Sequence, residues 1–332
     1  MSDKAVTVTT RQAAELLDVH ESSIKRWCSQ NQLTCFQTPG GHRRIPFDAL
    51  MDFSQTKGIA CELQVFDAYA EAVWEGLLDA EKKKDFQQLA DLGAHWIQGP
   101  EFYYMLKLLT LLKRQGYPLS AQMDKIIAPI MRTVGDAYLN GDLSIGNEHR
   151  ITYLMRDLLV RMSTGSEWAD RTPNAPEKSR PRAVLGCIRS QAHELGCLMA
   201  KLVLESHGWD VVYLGLNVPS EDFSRAQIEY DASLVCIALM PPSTYPEVYH
   251  VIDLLEQVYD RNRPYHLVFG GPVELQLDPN RTTKSSISSI QYFETMSKFS
   301  DWLENTSDDS TSTRSYATSS GRDNNSLKRS FR

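Results

Sequence analysis

From residue 183 onward the chain repeats one texture. Short apolar runs, AVLGCI, DVVYLG, LVCIALM and YHLVFGG, alternate with stretches of helical pattern. A strand with no polar face must be covered on both sides. Strands separated by helices cannot pair as hairpins, so they join in parallel with the helices on the faces of the sheet. That feature sets the expectation for 183–304: a doubly wound parallel-sheet domain. It also locates a ligand, because loops at the strand C-termini build the site in such sheets. His193, the turn near 238–243 and Gly270–Gly271 all fall on that edge.

The rest of the chain reads differently. Over 61–163, apolar residues recur at spacings of three and four (Val65, Tyr69, Val73, Leu77), and further helical stretches follow to RITYLMRDLLVRMS. This pattern predicts a bundle of four to five helices. Residues 164–182 are polar with three prolines and read as a linker. Residues 305–332 are rich in Ser, Thr and Asn and nearly devoid of large aliphatics, so a disordered tail is expected. With a first module at 1–57, the chain is a multidomain α and α/β protein.

Charge is unevenly distributed. The 332 residues carry a formal net charge of -7, which excludes a chain that binds nucleic acid along its whole length. Residues 1–57, however, hold seven Lys/Arg against six Asp/Glu, so a phosphate-binding face is expected there. The six cysteines form no CxxC, which argues against a zinc knuckle or a disulfide framework and for small buried hydrophobes. No apolar run reaches 18 residues and the N-terminus shows no signal pattern, so a cytoplasmic protein without membrane contact is expected.

In the first module, Thr10 can cap a short helix carrying Ala13, Ala14 and Leu17 inward. DVH makes a tight turn, and a second helix over about 21–30 buries Ile24 and Trp27. Two short helices joined in this way form a helix-turn-helix. The second offers Ser22, Ser23, Lys25 and Arg26 to a major groove. A hairpin follows, and its tip TPGGHRRI presents His42, Arg43 and Arg44 to phosphates or a minor groove. The run AAELLDVHESSIKRWCSQNQLTCFQTPGGHRRI resembles the winged helix of the MerR family of transcriptional regulators.

The sheet region resembles the cobalamin-binding domain, which is flavodoxin-like and is marked by Asp/Glu-x-His-x-x-Gly, a later Ser-x-Leu/Val and a closing Gly-Gly. His193, Gly196, Gly270 and Gly271 match; Gln191 stands in place of the acid and Ala238 in place of the Ser. The resemblance implies that His193 is the lower ligand of cobalt, with the glycines lining the slot for the nucleotide tail. The bundle is similar to the cap of light- and cobalamin-responsive MerR repressors (the CarH/LitR type), where a Trp, nine residues and Glu-His cover the upper face of the corrin. Tyr138, nine residues and Glu148-His149 keep that spacing. Leu139 stands where the family has a His that ligates cobalt after illumination, so that photoresponse is not expected. Read without the resemblance, Tyr138 is a core residue, and Glu148 and His149 belong to a capping and packing group with Ser144 and Asn147.

These readings imply a non-enzymatic, DNA-binding regulator, a repressor by family resemblance. It would bind a double-stranded operator as a homo-oligomer, dimer or tetramer, under the control of adenosylcobalamin. Two alternatives stay open: a cofactor-independent regulator governed by a protein antagonist or another ligand, and a corrinoid methyl carrier or mutase-type protein.

Overall fold

The computed structural model describes residues 6–164, 180–188, 194–239, 245–271 and 286–317 (the backbone alone at 245 and from 307). The chain forms two compact units, Met1–Leu158 and Leu159–Arg332.

The first unit opens with β1 (Thr7–Thr9), α1 (Thr10–Leu16), α2 (Glu21–Ser29), β2 (Phe36–Gln37), β3 (Arg43–Pro46) and α3 (Phe47–Lys57). The three strands form an antiparallel sheet in the order β1-β3-β2. The cap of α1 is Thr9 rather than the expected Thr10. Thr9 and Gln12 close a capping box, the Thr-x-x-Gln spacing that satisfies two orphan amides at once. Thr10 is left to donate its hydroxyl to Glu21 Oε1 at 2.7 Å, tying α1 to the start of α2. Val8, Ala13, Ile24, Leu33, Ile45 and Leu50 are fully enclosed, and Trp27 packs on Phe53 at 5.0 Å between ring centroids. Each such aliphatic side chain contributes about 1.5–3 kcal/mol.

The bundle comprises α4 (Ala70–Lys83), α5 (Gln87–Gln98), α6 (Tyr103–Arg114), α7 (Leu119–Gln122), α8 (Ala128–Leu139) and α9 (Ile145–Thr164), with a π-helical turn at Met123–Ile127 between α7 and α8. The helix expected from 61 starts late. Glu62–Tyr69 is a 3-10 stretch broken at Asp67, whose φ is +48° and whose carboxylate accepts the Tyr104 hydroxyl at 2.6 Å. The break turns Val65 outward, leaving it 42% exposed, so only Val73 and Leu77 of the expected stripe are core. Phe66, Tyr69, Trp96 and Tyr104 form an aromatic cluster instead. The division between units falls inside α9, before the expected end of the bundle at 163.

The second unit is a five-stranded, all-parallel sheet: β4 (Arg182–Ile188), β5 (Asp210–Val218), β6 (Leu234–Ala238), β7 (Tyr265–Gly270) and β8 (Ile287–Phe293), ordered β5-β4-β6-β7-β8. This is the doubly wound, flavodoxin-like order. One face packs Val184, Val235, Leu267 and Phe269 under α11 (Ser220–Tyr230) and α12 (Tyr245–Leu255). Alternate residues Ala183, Leu185, Cys187, Cys236 and Val268 pack on the other face under α10 (Glu194–Ser206) and α13 (Met296–Ala317). β8 was not expected from the sequence. As an edge strand it carries Ser288, Ser289 and Gln291, which an interior strand would not tolerate. α13 continues past 304, where the tail was expected to begin. With Phe299 and Leu303 seated, each further residue extends the helix without a new nucleus. The expected linker lies largely outside the described residues, as does the tail beyond 317.

Candidate nucleic-acid interface and cofactor edge

His20 caps α2: its ring Nδ1 accepts the Ser22 amide at 3.2 Å and lies 2.8 Å from the Ser22 hydroxyl. Ile24 and Cys28 are buried, while Ser22, Lys25 and Arg26 are exposed and Ser23 is half-buried. One side of the helix is therefore anchored and the other is free to read a groove. Lys25 is paired with Glu21 at 3.0 Å. Hydrogen bonds from Thr10, then Lys25, hold the Glu21 carboxyl below its usual range. A phosphate approaching Lys25 must compete with that carboxylate, whereas Arg26 sits beside it on the same exposed side.

In the hairpin, the Thr38 amide donates to His42 O at 2.9 Å and the Gly41 amide to Thr38 O at 2.8 Å, with Gly41 at φ +79°. Glycine adopts that conformation without strain. His42 is exposed, and Arg43 and Arg44 are half-buried on β3. Arg43 donates to Ser29 Oγ at 3.2 Å, joining the wing to the end of α2. The seven expected residues thus lie on the second helix and its wing. Two were missed: His20, legible only as a polar residue before a helix, and Phe36, 50% exposed on β2 opposite Arg44.

In the second unit, strand order reverses between β4 and β6: the strand after β4 lies on one side of it and the strand after β6 on the other. The register sets Cys187 beside Ala238 and Ala238 beside Gly270, so the strand ends form one rim. Gln191 and His193 belong to the β4–α10 turn and lie outside the described residues. α10 begins immediately after, with Glu194 accepting the Tyr213 hydroxyl from β5 at 3.2 Å. Sequence reasoning passed over this anchor because it links residues distant in the chain.

The glycines divide into two kinds. Among the described residues, a Cβ on Gly196 would meet nothing within 4 Å, and one on Gly270 only Phe293 O at 3.6 Å. Both leave room that a large flat ligand or its tail can fill. Gly271 is different. Its φ is +149°, and a Cβ would stand 1.8 Å from Leu239 O. Its amide donates to Phe293 O, its carbonyl accepts from Tyr292, and the Leu239 amide donates to Gly270 O at 2.7 Å. The chain's own backbone occupies the space expected for the ligand at Gly271. Among the described residues, the space at Gly196 and at Gly270, with Ala238 beside Gly270, is compatible in size with a ligand at the strand ends.

In the first unit, Tyr138 is 41% exposed and Leu139 80% exposed at the end of α8, so Tyr138 is not the core residue its pattern allowed. Ser144 Oγ accepts the Asn147 amide at 3.4 Å, as the capping reading expects. Glu148 accepts from Thr152 at 2.8 Å and lies 3.6 Å from His149, whose side chain is 63% exposed. Tyr138, Glu148 and His149 thus come from α8 and the start of α9.

Comparison with known proteins gives both modules a family. A helix-turn-helix domain matches residues 7–57, and a B12 binding domain matches residues 181–291. The chain carries these two domains. It is similar to the HTH-type transcriptional repressor CarH of Myxococcus xanthus, 29% identical over 147 residues (44% of this chain and 46% of that protein). It is also similar to the repressor CarA of the same organism, 25% identical over 153 residues (46% of this chain, 48% of that protein). A third relative is dimethylamine corrinoid protein 3 of Methanosarcina acetivorans, 30% identical over 112 residues (33% of this chain, 53% of that protein). The chain spans about half the length of these relatives. Among solved structures, the monomethylamine corrinoid protein of Methanosarcina barkeri aligns with a TM-score of 0.49 at 16% identity, over 66% of this chain and 98% of that one. No helix among the described residues is long and apolar enough to cross a membrane.

Proposed function

We propose that this chain is a non-enzymatic, cobalamin-responsive transcriptional regulator of the cytoplasm, acting as a repressor on a double-stranded operator. The observation that carries the reading is the presence in one chain of a helix-turn-helix domain and a B12 binding domain. The exposed side of α2 with its arginine-bearing wing supports DNA contact. The open rim at Gly196, Ala238 and Gly270 supports a cofactor across the strand ends.

When bound, cobalamin would supply a broad flat ring and a cobalt that takes a side-chain nitrogen. His193 offers that nitrogen from the β4–α10 turn. A Gln191 amide oxygen could accept the other imidazole N–H, a neutral orienting partner in place of a charged one. Gly196 and Gly270 leave space for the tail. Tyr138, Glu148 and His149 provide an aromatic ring, a carboxylate and an imidazole for the upper face. Lone winged helices offer few phosphate contacts, so operator affinity would follow the number of heads, two or four, that one homo-oligomer delivers.

A second reading, a cofactor-independent regulator answering to a protein antagonist, draws on four departures from the family pattern: Tyr138, Leu139, Gln191 and Ala238. Titration of the full chain with adenosylcobalamin in the dark separates the two, with spectra and size-exclusion chromatography alongside His193→Ala. Bound spectra that change in the variant, with a shift in oligomer size, support the cobalamin reading. No binding at tens of micromolar overturns it in favour of the second.

A further inference from the structure

Cys187 is the penultimate residue of β4 and Cys197 lies in the first turn of α10, on either side of the segment that carries Gln191 and His193. Their sulfurs stand 3.0 Å apart, and both residues are fully buried. None of the six cysteines is in a disulfide. A disulfide bond is ~2.05 Å long, so the two sulfurs need to close by ~1 Å. Packing alone does not require two thiols this close at the two ends of one turn. Cys236, the third thiol on this face, lies on the neighbouring strand, where the register places it beside Leu185.

We infer that Cys187 and Cys197 are a redox couple whose disulfide braces the candidate cofactor turn. With hydrogen peroxide as oxidant, the Cys187 thiolate attacks one oxygen, an S–O bond forms, the O–O bond breaks and hydroxide leaves to become water. The Cys197 sulfur then attacks the sulfenic sulfur, forming S–S as S–O breaks, and the second oxygen leaves as water. Two thiols lose two electrons and two protons, and one peroxide becomes two waters. Either sulfur can donate in this contact; with Cys197 donating, the Cys187 thiol is held below its usual range and Cys197 is pushed up, and exchanging the two roles gives the same disulfide. Because both sulfurs are buried, the oxidant reaches them through local opening of the domain. The disulfide ties the end of β4 to the first turn of α10, on either side of His193 in the sequence, and the oxidised form binds cobalamin more weakly. This second half rests on the cobalamin reading.

The test is oxidation of the full chain with hydrogen peroxide, alkylation, and cleavage after Lys and Arg without reduction. Cleavage after Arg189 separates the cysteines into Ala183–Arg189 and Ser190–Lys201. The expected product is a cross-link of these two peptides that dithiothreitol reverses, retained in Cys236→Ala and lost in Cys197→Ala. The wild-type mapping stands alone if either variant fails to fold. Recovery of the two peptides separately, or of Cys187 joined to Cys236, overturns the couple. Adenosylcobalamin affinity of the reduced and cross-linked chain then reads the brace. A fivefold or greater loss on oxidation supports control of the site, and equal affinities overturn it. The cross-link is mapped without cofactor, so failure of the reduced chain to bind cobalamin removes the functional reading and leaves the mapping readable.

Discussion

Gly270 and Gly271 are neighbours in the chain, yet a methyl group would do different things at each. At Gly271 it would strike the Leu239 carbonyl from a backbone conformation that L-residues avoid. Gly271→Ala should lower stability by about 3 kcal/mol or more, seen as an early thermal transition of the sheet domain. At Gly270 the added Cβ meets one carbonyl oxygen at ordinary contact distance, so Gly270→Ala should melt with the parent and weaken only cobalamin binding. Equal melting of the two variants would remove the distinction. On the proposed DNA side, Arg43 is half-buried on β3 and reaches Ser29 at the end of α2. Arg43→Ala should weaken binding to all duplexes alike and reduce the salt slope by about 1, as read from anisotropy titrations across salt concentrations. A loss confined to one sequence would instead make Arg43 a base reader.

Elements here are held by partners that alternate between legible and hidden. Thr9-x-x-Gln12 is a capping box visible in the sequence, and Thr9→Ala should cost about 1 kcal/mol in denaturant unfolding. The docking of α13 on the edge of the sheet is not visible. His266 of β7 accepts or donates to Ser289 Oγ at 2.8 Å and meets the Trp302 ring edge-on, and burial lowers its pKa below 6.5. Unfolded His266 therefore takes up a proton at a higher pH than folded His266. Its contribution is full above pH 6.5 and is lost as pH falls from 6.5 through the depressed folded value. The melting temperature should drop across that window, and His266→Gln should flatten part of the drop. An unchanged profile in the variant would assign the drop to other groups.

At the scale of the molecule, a winged helix and a flavodoxin-like sheet share a chain, and on the proposed reading the second controls the first through assembly. Operator affinity should rise by a factor of 100 or more from one half-site to two spaced by a helical turn, as avidity requires, and only in the form that elutes as an oligomer. Identical affinities for one and two half-sites would mean that each head binds alone.

The helix-turn-helix head was legible because its signal is local: turn glycines, a short helix with polar and apolar sides, and paired arginines close together in sequence. The parallel sheet was legible because interior strands must be apolar on both faces, as β4, β6 and β7 are. β8 escaped because an edge strand satisfies only one side and keeps its serines. Asp67 hid the true start of α4, since one carboxylate reaching Tyr104 outweighs a three-and-four spacing. Tyr138 was misjudged as core because periodicity reports which side of a helix a residue lies on, whereas exposure depends on what the neighbouring helices cover. Only the tertiary structure separated Gly271 from Gly270, and only it brought Cys187 to Cys197. Both are distances between chain segments, set by packing across the sheet, and no local pattern encodes them.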